Sequence, residues 1–452
     1  MTLLNELSAE VCQRARMSRD PRFDGRFFVA VKTTGIFCRP ICPANLPKEE
    51  NVEYFSSQAL AVSAGYRPCL RCRPESAPHS WAWKGAETTF LRALTLIEQG
   101  ELDGSLETLA SRLGISDRYL RQLFQRHLGM PPKQYAQIQQ LMFAKQLLHT
   151  SQISITEVAY ASGFQSTRPF NDAFQKLFRL TPTQVRRERA ALPSRNHLSL
   201  AFRGPFDWAH MLDFYRLRAI EGMELIDEQS YQRHFVLGEG TGWFKASMAQ
   251  SHLDIEFEME RLSDLRHLVA RLRRMFDLDA DLISIEAHLE QLAPGLVRRT
   301  GIRIPGVWNA WEAGVRAVLG QQVSVKAAIG QLNLLVSTLA ASEGSTRYFP
   351  TPEQVQMSDL SFLRMPERRK ETLKRLADYV RLHPMDSPMA WLSLSGIGPW
   401  TVDYAQLRGE SRSHCFLTGD LIVKKALAKF PQLTAESVAP WGSYATFHCW
   451  SH

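Results

Sequence analysis

The sequence predicts a multidomain protein that is predominantly α-helical and has α+β parts. Its 452 residues exceed what one ordinary hydrophobic core accommodates, so two to four domains are expected. Apolar residues recur at three- and four-residue spacing through 86–190, which indicates helices. The alternating stretches "HLSLAF" and "LDIEFEME" predict antiparallel strands. Pro-containing breaks at 73–85 and 189–208 divide the chain into three parts.

These breaks place the domains at 1–78, 84–190 and 197–452. The first mixes short β-like runs, such as "FFVAVKT", with two cysteine patches and is expected to be a small α/β domain. The second is expected to be all-α. The third begins with a small antiparallel β subdomain, 197–262, and continues as a helical part, 263–452.

Composition describes a soluble globular protein, with 44% hydrophobic and 22% charged residues. The sequence has no run of eighteen apolar residues, and its start lacks the apolar core of a signal peptide. We therefore expect a cytoplasmic protein with no membrane partner. Clustered cysteines in such a protein indicate a metal site or catalysis more than disulfides.

Positive charge is concentrated in one window. The net charge is +8, and residues 110–190 hold 12 Lys/Arg against 4 Asp/Glu, which accounts for the whole surplus. This localisation favours a module that binds a polyanion, although a solvated charged surface has the same composition.

Four of the seven cysteines lie in two short patches, as Cys38, Cys42, Cys69 and Cys72. Three residues separate the first pair and two separate the second, a spacing that suits neighbouring corners of a tetrahedral zinc site. The metal would also stabilise a domain of this small size. The spacing alone is compatible with a structural metal site, a reactive centre, or both.

The residues around the cysteines, "TTGIFCRPICPA", "ENVEYF" and "AGYRPCLRCRP", resemble the amino-terminal domain of the adaptive-response (Ada) family of alkylation-damage regulators. The resemblance implies that Cys38 accepts a methyl group from a DNA methylphosphotriester. Zinc would keep Cys38 a thiolate, which is the attacking form. Thr34, Arg67 and Arg71 are then candidate phosphate contacts, or ordinary surface residues.

Residues 104–129 and 153–182 each have the pattern of a helix-turn-helix. The second helix of each unit would present polar side chains to a major groove. These candidate DNA-binding residues are Arg118, Arg121 and Gln122 in the first unit, and Thr167, Arg168 and Asn171 in the second. The two copies, the second ending "GFQSTRPFNDAFQKLFRLTPTQVRR", resemble the AraC-type DNA-binding domain, which implies double-stranded DNA as partner.

The stretch "LSGIGPW" has the signature of a helix–hairpin–helix, in which Gly396 and Gly398 let backbone amides approach a DNA phosphate. About twenty residues later, Asp420 stands in "TGDLIVKK". Taken alone, an aspartate there suits a helix cap. The hairpin upstream favours a functional carboxylate.

From "FRGPFDW" to "PWGSYATFHCW", residues 197–452 resemble the AlkA-type 3-methyladenine glycosylases of the helix–hairpin–helix DNA glycosylase superfamily. The resemblance implies that Asp420 is the catalytic carboxylate. A related branch has a Schiff-base lysine where this chain has Trp400, so we expect a monofunctional enzyme. The iron–sulfur branch has a cysteine array that is missing after Trp450, so no iron–sulfur cluster is expected.

Alignment with this family implies an aromatic cleft for a flipped base. A place in a hydrophobic core is a reasonable alternative for Tyr404 alone, but less so for two tryptophans near Asp420. The expected pocket residues are Trp400, Tyr404, Trp450 and Leu421. Aromatic faces attract N-alkylated purines, which carry positive charge. Gln321 and Gln322 align with the turn that fills the gap left by the flipped base. Some relatives have an apolar wedge at Gln322.

Together these features predict an alkylation-response protein with a methyl acceptor containing one zinc ion, a DNA reader and an alkylbase glycosylase. Its partners would be damaged DNA, promoter DNA and RNA polymerase. The "PCHR" motif of the guanine methyltransferase is absent, so that activity is not expected. Two alternatives stay open: a regulator whose glycosylase domain only senses damage, and a repair enzyme with no regulatory role.

Overall fold

The computed structural model describes residues 7–20, 23–72, 74, 81–98, 100, 102, 105–187, 196–340, 342–343, 346–384 and 386–452. Much of the two predicted breaks, and the predicted boundaries at residues 78 and 190, lie outside these residues. The chain forms two compact units, Met1–Gln137 and Ile138–His452, which are described separately. The boundary between them falls inside a helix, Pro132–Thr150, that links the two predicted helix-turn-helix segments.

The first unit begins with a four-stranded sheet in the order β3-β1-β2-β4. Its elements are α1 (Ala9–Met17), β1 (Phe28–Val31), β2 (Ile36–Cys38), β3 (Val52–Phe55), α2 (Gln58–Ser63) and β4 (Arg67–Pro68). Strand β1 alternates its side chains between two small cores, so that Val29 packs with Cys12 on one face and Phe28 with Phe37 on the other. The predicted α/β character of this region is confirmed.

The rest of the first unit is helical: α3 (Trp81–Glu98), α4 (Leu106–Arg112) and α5 (Asp117–Leu128). Ser116 caps α5 by accepting the N–H of Tyr119, and Gly129 ends it in the left-handed conformation. Leu109, Leu120 and Phe124 are buried in one core, so the polar face of α5 is left to solvent.

Helix α6 (Pro132–Thr150) leads into the second unit, which opens with α7 (Ile155–Ala161), α8 (Thr167–Phe178) and α9 (Pro182–Arg187). Ser154 and Glu157 form a capping box at the start of α7. Phe170 and Phe174 lie one turn apart on the buried face of α8. This helix therefore repeats the amphipathic arrangement of α5.

A five-stranded antiparallel sheet follows, in the order β5-β9-β8-β7-β6. Its elements, with one helix inserted after the first strand, are β5 (His197–Ala201), α10 (Trp208–Arg216), β6 (Glu224–Ile226), β7 (Ser230–Leu237), β8 (Gly240–Met248) and β9 (His252–Met259). Burial alternates along β7 and β9, as the alternating sequence predicts. Helix α10 was not predicted, and it forms one wall of the cavity described below.

The remainder is helical apart from the two-residue strands β10 (Ser342–Glu343) and β11 (Thr346–Arg347). The helices are α11 (Leu265–Met275), α12 (Leu282–Leu292), α13 (Ala310–Gly320), α14 (Val325–Leu339), α15 (Pro352–Met357), α16 (Glu367–Leu382), α17 (Pro399–Glu410), α18 (Leu421–Leu427) and α19 (Gly442–Trp450). Two cores organise them, one around Trp391 and the other around Phe447. Within the described part of the chain, none of the helices has the length and apolarity needed to span a membrane.

Candidate functional sites

The four clustered cysteines come together at one end of the small sheet. Cys38 ends β2, and the parallel pairing of β2 with β4 carries the second pair to it. Cys69 donates its backbone N–H to Phe37 O at 3.0 Å. The four Sγ atoms all lie within 4.8 Å of one another. Cysteines that are distant in sequence therefore form one compact cluster.

The chemistry of this cluster fits a metal cation. A hydrogen bond to Cys72, followed by burial and the neighbouring sulfurs, raises the pKa of Cys38, whereas the same hydrogen bond lowers the pKa of Cys72 to about 6. Four thiolates at this spacing repel one another unless a cation lies between them. A tetrahedral four-sulfur set selects zinc among the common divalent metals, so the cluster is one zinc site.

The cysteines differ in their surroundings. Cys42 is buried, and the Sγ atom of Cys72 accepts the backbone N–H of Arg39 at 3.3 Å. Cys38 and Cys69 are half-buried, and no described N–H group donates to either sulfur. The backbone N–H of Ala44 also donates to Cys42, so N–H donors withdraw charge from Cys42 and Cys72 among the four.

The predicted phosphate contacts lie on the same domain. Thr34, Arg67 and Arg71 are all exposed. Neither Arg67 nor Arg71 forms an ion pair with another described residue, so both guanidinium groups are available to an anion.

The structure also exposes the predicted DNA-reading side chains. Arg118, Arg121 and Gln122 lie on the polar face of α5, where Arg121 forms an ion pair with Asp117 at 3.0 Å. On α8, Arg168 and Asn171 are exposed and Thr167 is half-buried. Each recognition helix thus carries a polar surface of the kind that contacts bases and phosphates.

A cavity of about 420 Å³ lies in the second unit and is lined by residues of six helices, α10, α13, α14, α17, α18 and α19. One face of α10 and of the turn that follows it forms a wall, because the lining residues from His210 to Arg218 follow the spacing of 3, 4, 7 and 8 positions that one side of a helix shows. The residues that line the cavity are His210, Asp213, Phe214, Leu217, Arg218, Arg316, Gly320, Val323, Val325, Ala328, Ile329, Leu332, Trp400, Tyr404, Asp420, Ile422, Phe447 and Trp450. No lysine is among them.

Asp420 is both the cap of α18 and a cavity residue. Its Oδ1 atom accepts the N–H of Ile422 at 2.9 Å and of Val423 at 3.2 Å, and the indole N–H of Trp450 at 3.0 Å. No described group donates to Oδ2. One oxygen is therefore fixed by three donors, and the other is free for a ligand.

Three of the four predicted pocket residues line this cavity. Trp400 and Tyr404 lie one turn apart on α17 and stack with ring centroids 5.3 Å apart. Trp450 stacks on Phe214 with centroids 6.2 Å apart and an interplanar angle of 15°. Leu421 does not line the cavity, and its side chain is 68% exposed. Successive helix positions point about 100° apart, so the next residue, Ile422, lines the cavity instead.

The predicted hairpin and the turn at Gln321 and Gln322 contact each other. Gln321 Nε2 donates to Gly396 O at 3.1 Å and to Thr401 Oγ1 at 3.2 Å. Gln322 is exposed and has a φ of +56°, a conformation that few non-glycine residues adopt. Gln321 thus ties the turn to the hairpin, and Gln322 projects from it.

Sequence analysis missed the arginines of the cavity. Arg218 and Arg316 line it together with Tyr404, and Arg408 donates to Tyr404 Oη at 2.9 Å. Arg218 follows Phe214 by four residues in "DFYRLRA", and this helical spacing is the one signal that could have placed it beside the aromatic wall.

Arg316 belongs to a buried network of ionised groups that joins the sheet to the helical core. Glu312 accepts hydrogen bonds from Arg316 at 2.9 Å and from Arg233 at 2.5 Å, and Glu224 accepts from both arginines at 3.1–3.2 Å. Burial opposes ionisation of Glu312, but the two guanidinium groups hold its pKa at about 2. The charge of Arg316 is therefore compensated within the protein.

Comparison with known proteins identifies the parts of the chain. Three family models match it: the metal binding domain of Ada over residues 11–75, a helix-turn-helix domain over 109–188, and the AlkA N-terminal domain over 197–309. The matches follow the order in which the cysteine cluster, the recognition helices and the five-stranded sheet occur.

Relatives cover the chain in whole and in part. A probable bifunctional transcriptional activator/DNA repair enzyme AlkA of Mycobacterium tuberculosis is 34% identical over 98% of this chain and 96% of its own length. DNA-3-methyladenine glycosylase 2 of Escherichia coli is 33% identical and matches 56% of this chain and 96% of its own. The bifunctional activator/repair enzyme Ada of Escherichia coli is 35% identical over 38% of this chain and 47% of its own.

Two solved structures are also similar. The crystal structure of the methylated N-ADA/DNA complex is 36% identical, with 29% of this chain and 98% of that chain covered and a TM-score of 0.26. The 3-methyladenine DNA-glycosylase of Archaeoglobus fulgidus is 16% identical, with 56% and 96% covered and a TM-score of 0.48. By its full-length relative and its three family models, the chain belongs to the family of bifunctional transcriptional activator/DNA repair enzymes that join Ada-type metal-binding and helix-turn-helix domains to an AlkA-type domain.

Proposed function

We propose that the protein repairs and reports DNA alkylation, and that its second unit excises N-alkylated purines of the 3-methyladenine and 7-methylguanine type. The observation that carries the excision proposal is Asp420, which presents a free carboxylate oxygen to an aromatic cavity. The three parts would correspond to the domains 1–78, 84–190 and 197–452.

In this proposal the cavity binds a base flipped out of the duplex, between Trp400, Tyr404 and Trp450. The N-glycosidic bond breaks with its electrons going to the base, and positive charge develops on the sugar. Ionised Asp420 stabilises that charge or directs a water molecule, whose oxygen bonds to C1′ and whose proton is released. An alkylated cationic purine leaves as a neutral base, so no general acid is needed. Because no lysine is among the described residues that line the cavity, the expected product is an abasic site in an uncut strand.

The test is Asp420→Asn in the full-length protein, with release of methylated bases from alkylated duplex DNA as the measurement. Asparagine keeps an oxygen for the cap of α18 but removes the charge, so we expect a rate loss of at least about a hundredfold. Asp281→Asn is the matched control, because Asp281 caps α12 through the N–H of Ser284 and does not line the cavity. If Asp420→Asn releases bases at the rate of the wild type, the assignment of Asp420 as the catalytic carboxylate is wrong. If the wild type itself releases no base, the second unit would be a damage sensor instead.

For the first unit we propose that Cys38 irreversibly accepts a methyl group from a methylphosphotriester. Its sulfur bonds to the methyl carbon as the carbon–oxygen bond breaks, and the electron pair stays on the phosphate, which becomes an anionic diester. Zinc supplies the charge that keeps the cysteine ionised. The half-burial of Cys38 and the absence of an N–H donor to its Sγ atom among the described residues support this assignment, and Arg67 and Arg71 would hold the phosphate.

We further propose that methylation of Cys38 promotes sequence-specific binding of both recognition helices to promoter DNA and so activates transcription. Methylation removes one negative charge from the cysteine cluster, which lowers its repulsion from phosphate. RNA polymerase would be the protein partner, and the protein would act at the nucleoid. The exposed polar faces of α5 and α8 support this part of the proposal.

A further inference from the structure

Arg218 is a half-buried cation that has no anionic partner among the described residues. Its guanidinium lies over the ring of Phe214, with Cζ 3.7 Å from the centroid, and Nη1 donates to Phe214 O at 3.2 Å. No carboxylate of the described residues pairs with it, and burial lowers the pKa of Arg218 to about 10. Partial loss of hydration is unfavourable for a cation that lacks an acceptor, and this one lines the cavity.

The residues next to Arg218 do not supply that acceptor. Arg316 is itself a cation, and both carboxylates of its network are bonded to arginines. Arg408 is fully buried and donates to Tyr404 Oη and to Pro305 O, and its Nη2 has no hydrogen-bond partner. The part of the cavity lined by Arg218, Arg316 and Tyr404, here called the arginine end, is therefore rich in donors and poor in acceptors.

The chemistry of the arginine end suits a base that has a carbonyl oxygen. Guanine presents O6 as an acceptor where adenine presents an amino donor, so a guanidinium distinguishes the two. An alkylated purine also brings positive charge, which makes an approach to Arg218 without an acceptor unfavourable. The other cavity residues are mainly apolar and aromatic, which favours a base over a phosphate as the ligand.

We propose that Arg218 is a specificity-determining residue that donates a hydrogen bond to the exocyclic carbonyl oxygen of the flipped base. The cavity then prefers alkylated guanine to alkylated adenine. This proposal rests on the excision function proposed above and names the substrate that the site selects within it.

The test compares two bases alkylated at the same atom, 7-methylguanine and 7-methyladenine, each placed in duplex DNA. Both are cationic, and at C6 one has a carbonyl and the other an amino group. In single-turnover excision by the full-length protein, Arg218→Met should slow release of 7-methylguanine by at least about tenfold. Release of 7-methyladenine should change by less than about twofold, and Arg218→Lys should keep part of the preference.

Arg274→Met is the matched control, because Arg274 is also half-buried, forms no ion pair with a described residue and donates to Trp308 O, but does not line the cavity. Thermal unfolding of each variant shows whether a loss of rate reflects a loss of fold. An equal slowing of both substrates by Arg218→Met in a folded protein would overturn the proposal and leave Arg218 a support for the aromatic wall.

A binding measurement separates this proposal from the excision function. Quenching of tryptophan fluorescence by free 7-methylguanine and free 7-methyladenine needs no catalysis. The wild type should bind the guanine more tightly, and Arg218→Met should bind both alike. A wild type that binds the two bases equally contradicts the role of Arg218 even if it excises them. Selective binding without excision would contradict the proposed glycosylase activity but would agree with the proposed role of Arg218.

Discussion

In the proposed function, Asp420 combines a structural and a chemical role in one side chain. From sequence alone, a helix cap and a functional carboxylate are competing interpretations, but the structure makes them compatible, because the cap uses only one carboxylate oxygen. Oδ1 is held by two backbone N–H groups and by Trp450, and Oδ2 receives no described donor. A carboxylate fixed in this way needs no reorganisation when charge develops beside it, which is the basis of electrostatic catalysis.

A second aspartate, Asp277, makes stability depend on pH. Burial raises its pKa from the ordinary value of 3.8 to about 7, although Tyr444 Oη donates to its Oδ2 at 2.9 Å and Ile304 N at 3.2 Å. The folded state therefore holds a proton that the unfolded chain releases. The resulting stabilisation is complete below about pH 4 and is lost as the pH rises through about 7.

Asp277→Asn should remove this dependence. Relative to the variant, the wild type should lose a few kcal/mol of unfolding free energy between pH 4 and pH 8, because one pKa unit corresponds to about 1.4 kcal/mol. Thermal unfolding of both proteins at pH 5 and pH 8 measures the difference. Asp378→Asn, at an exposed position on α16, is the control. A difference between wild type and Asp277→Asn that is the same at both pH values would contradict the prediction.

At the scale of elements, the hairpin between Leu394 and Gly398 depends on one glycine much more than on the other. Gly396 has a φ of +93°, and a Cβ there would overlap Thr372 Oγ1. Gly398 has an ordinary φ of −108° and open space around it. The motif thus contains one glycine required by the backbone and one whose Cα hydrogen faces free space.

We expect Gly396→Ala to lower the free energy of unfolding by about 1–3 kcal/mol, because the left-handed conformation strains alanine and Thr372 must move. Affinity for duplex DNA should fall with it, since Gly396 O also anchors Gln321. Gly398→Ala should unfold like the wild type. Calorimetry and DNA titrations of the two variants test the pair, and equal unfolding temperatures for both would count against the strain.

The sequence predicts some of the residues that line the cavity and not others, depending on the helix that supplies them. Trp400 and Tyr404 follow the hairpin motif at helical spacing, so their shared wall could be predicted. The wall formed by α10 could not, because tertiary packing alone brings Phe214 and Arg218 to residues about 180 positions later in the chain. The sequence therefore predicts the aromatic residues that attract a cationic base, but it does not predict the arginine end of the cavity.

At the scale of the whole molecule, the two chemistries lie in different compact units. Cys38 belongs to Met1–Gln137, and Asp420 belongs to Ile138–His452. The helix-turn-helix segments are divided between these units, one before and one after the boundary inside α6. The methyl acceptor and the cavity share no residues, so each activity should survive loss of the other.

Methylation of Cys38 should change promoter binding, and base release should not depend on it. Incubation with methylphosphotriester DNA should place one methyl group on Cys38, which peptide mass spectrometry can locate. The methylated protein should bind promoter DNA at least about tenfold more tightly in a gel shift, because one negative charge that repels the DNA phosphates is lost. Cys38→Ala should abolish both effects while base release continues, and Asp420→Asn should show the opposite pattern. Cys69 provides the internal control, because its sulfur is likewise half-buried and accepts no N–H group of the described residues. A methyl group on Cys69, or unchanged promoter affinity after methylation of Cys38, would show that the cluster does not act as proposed.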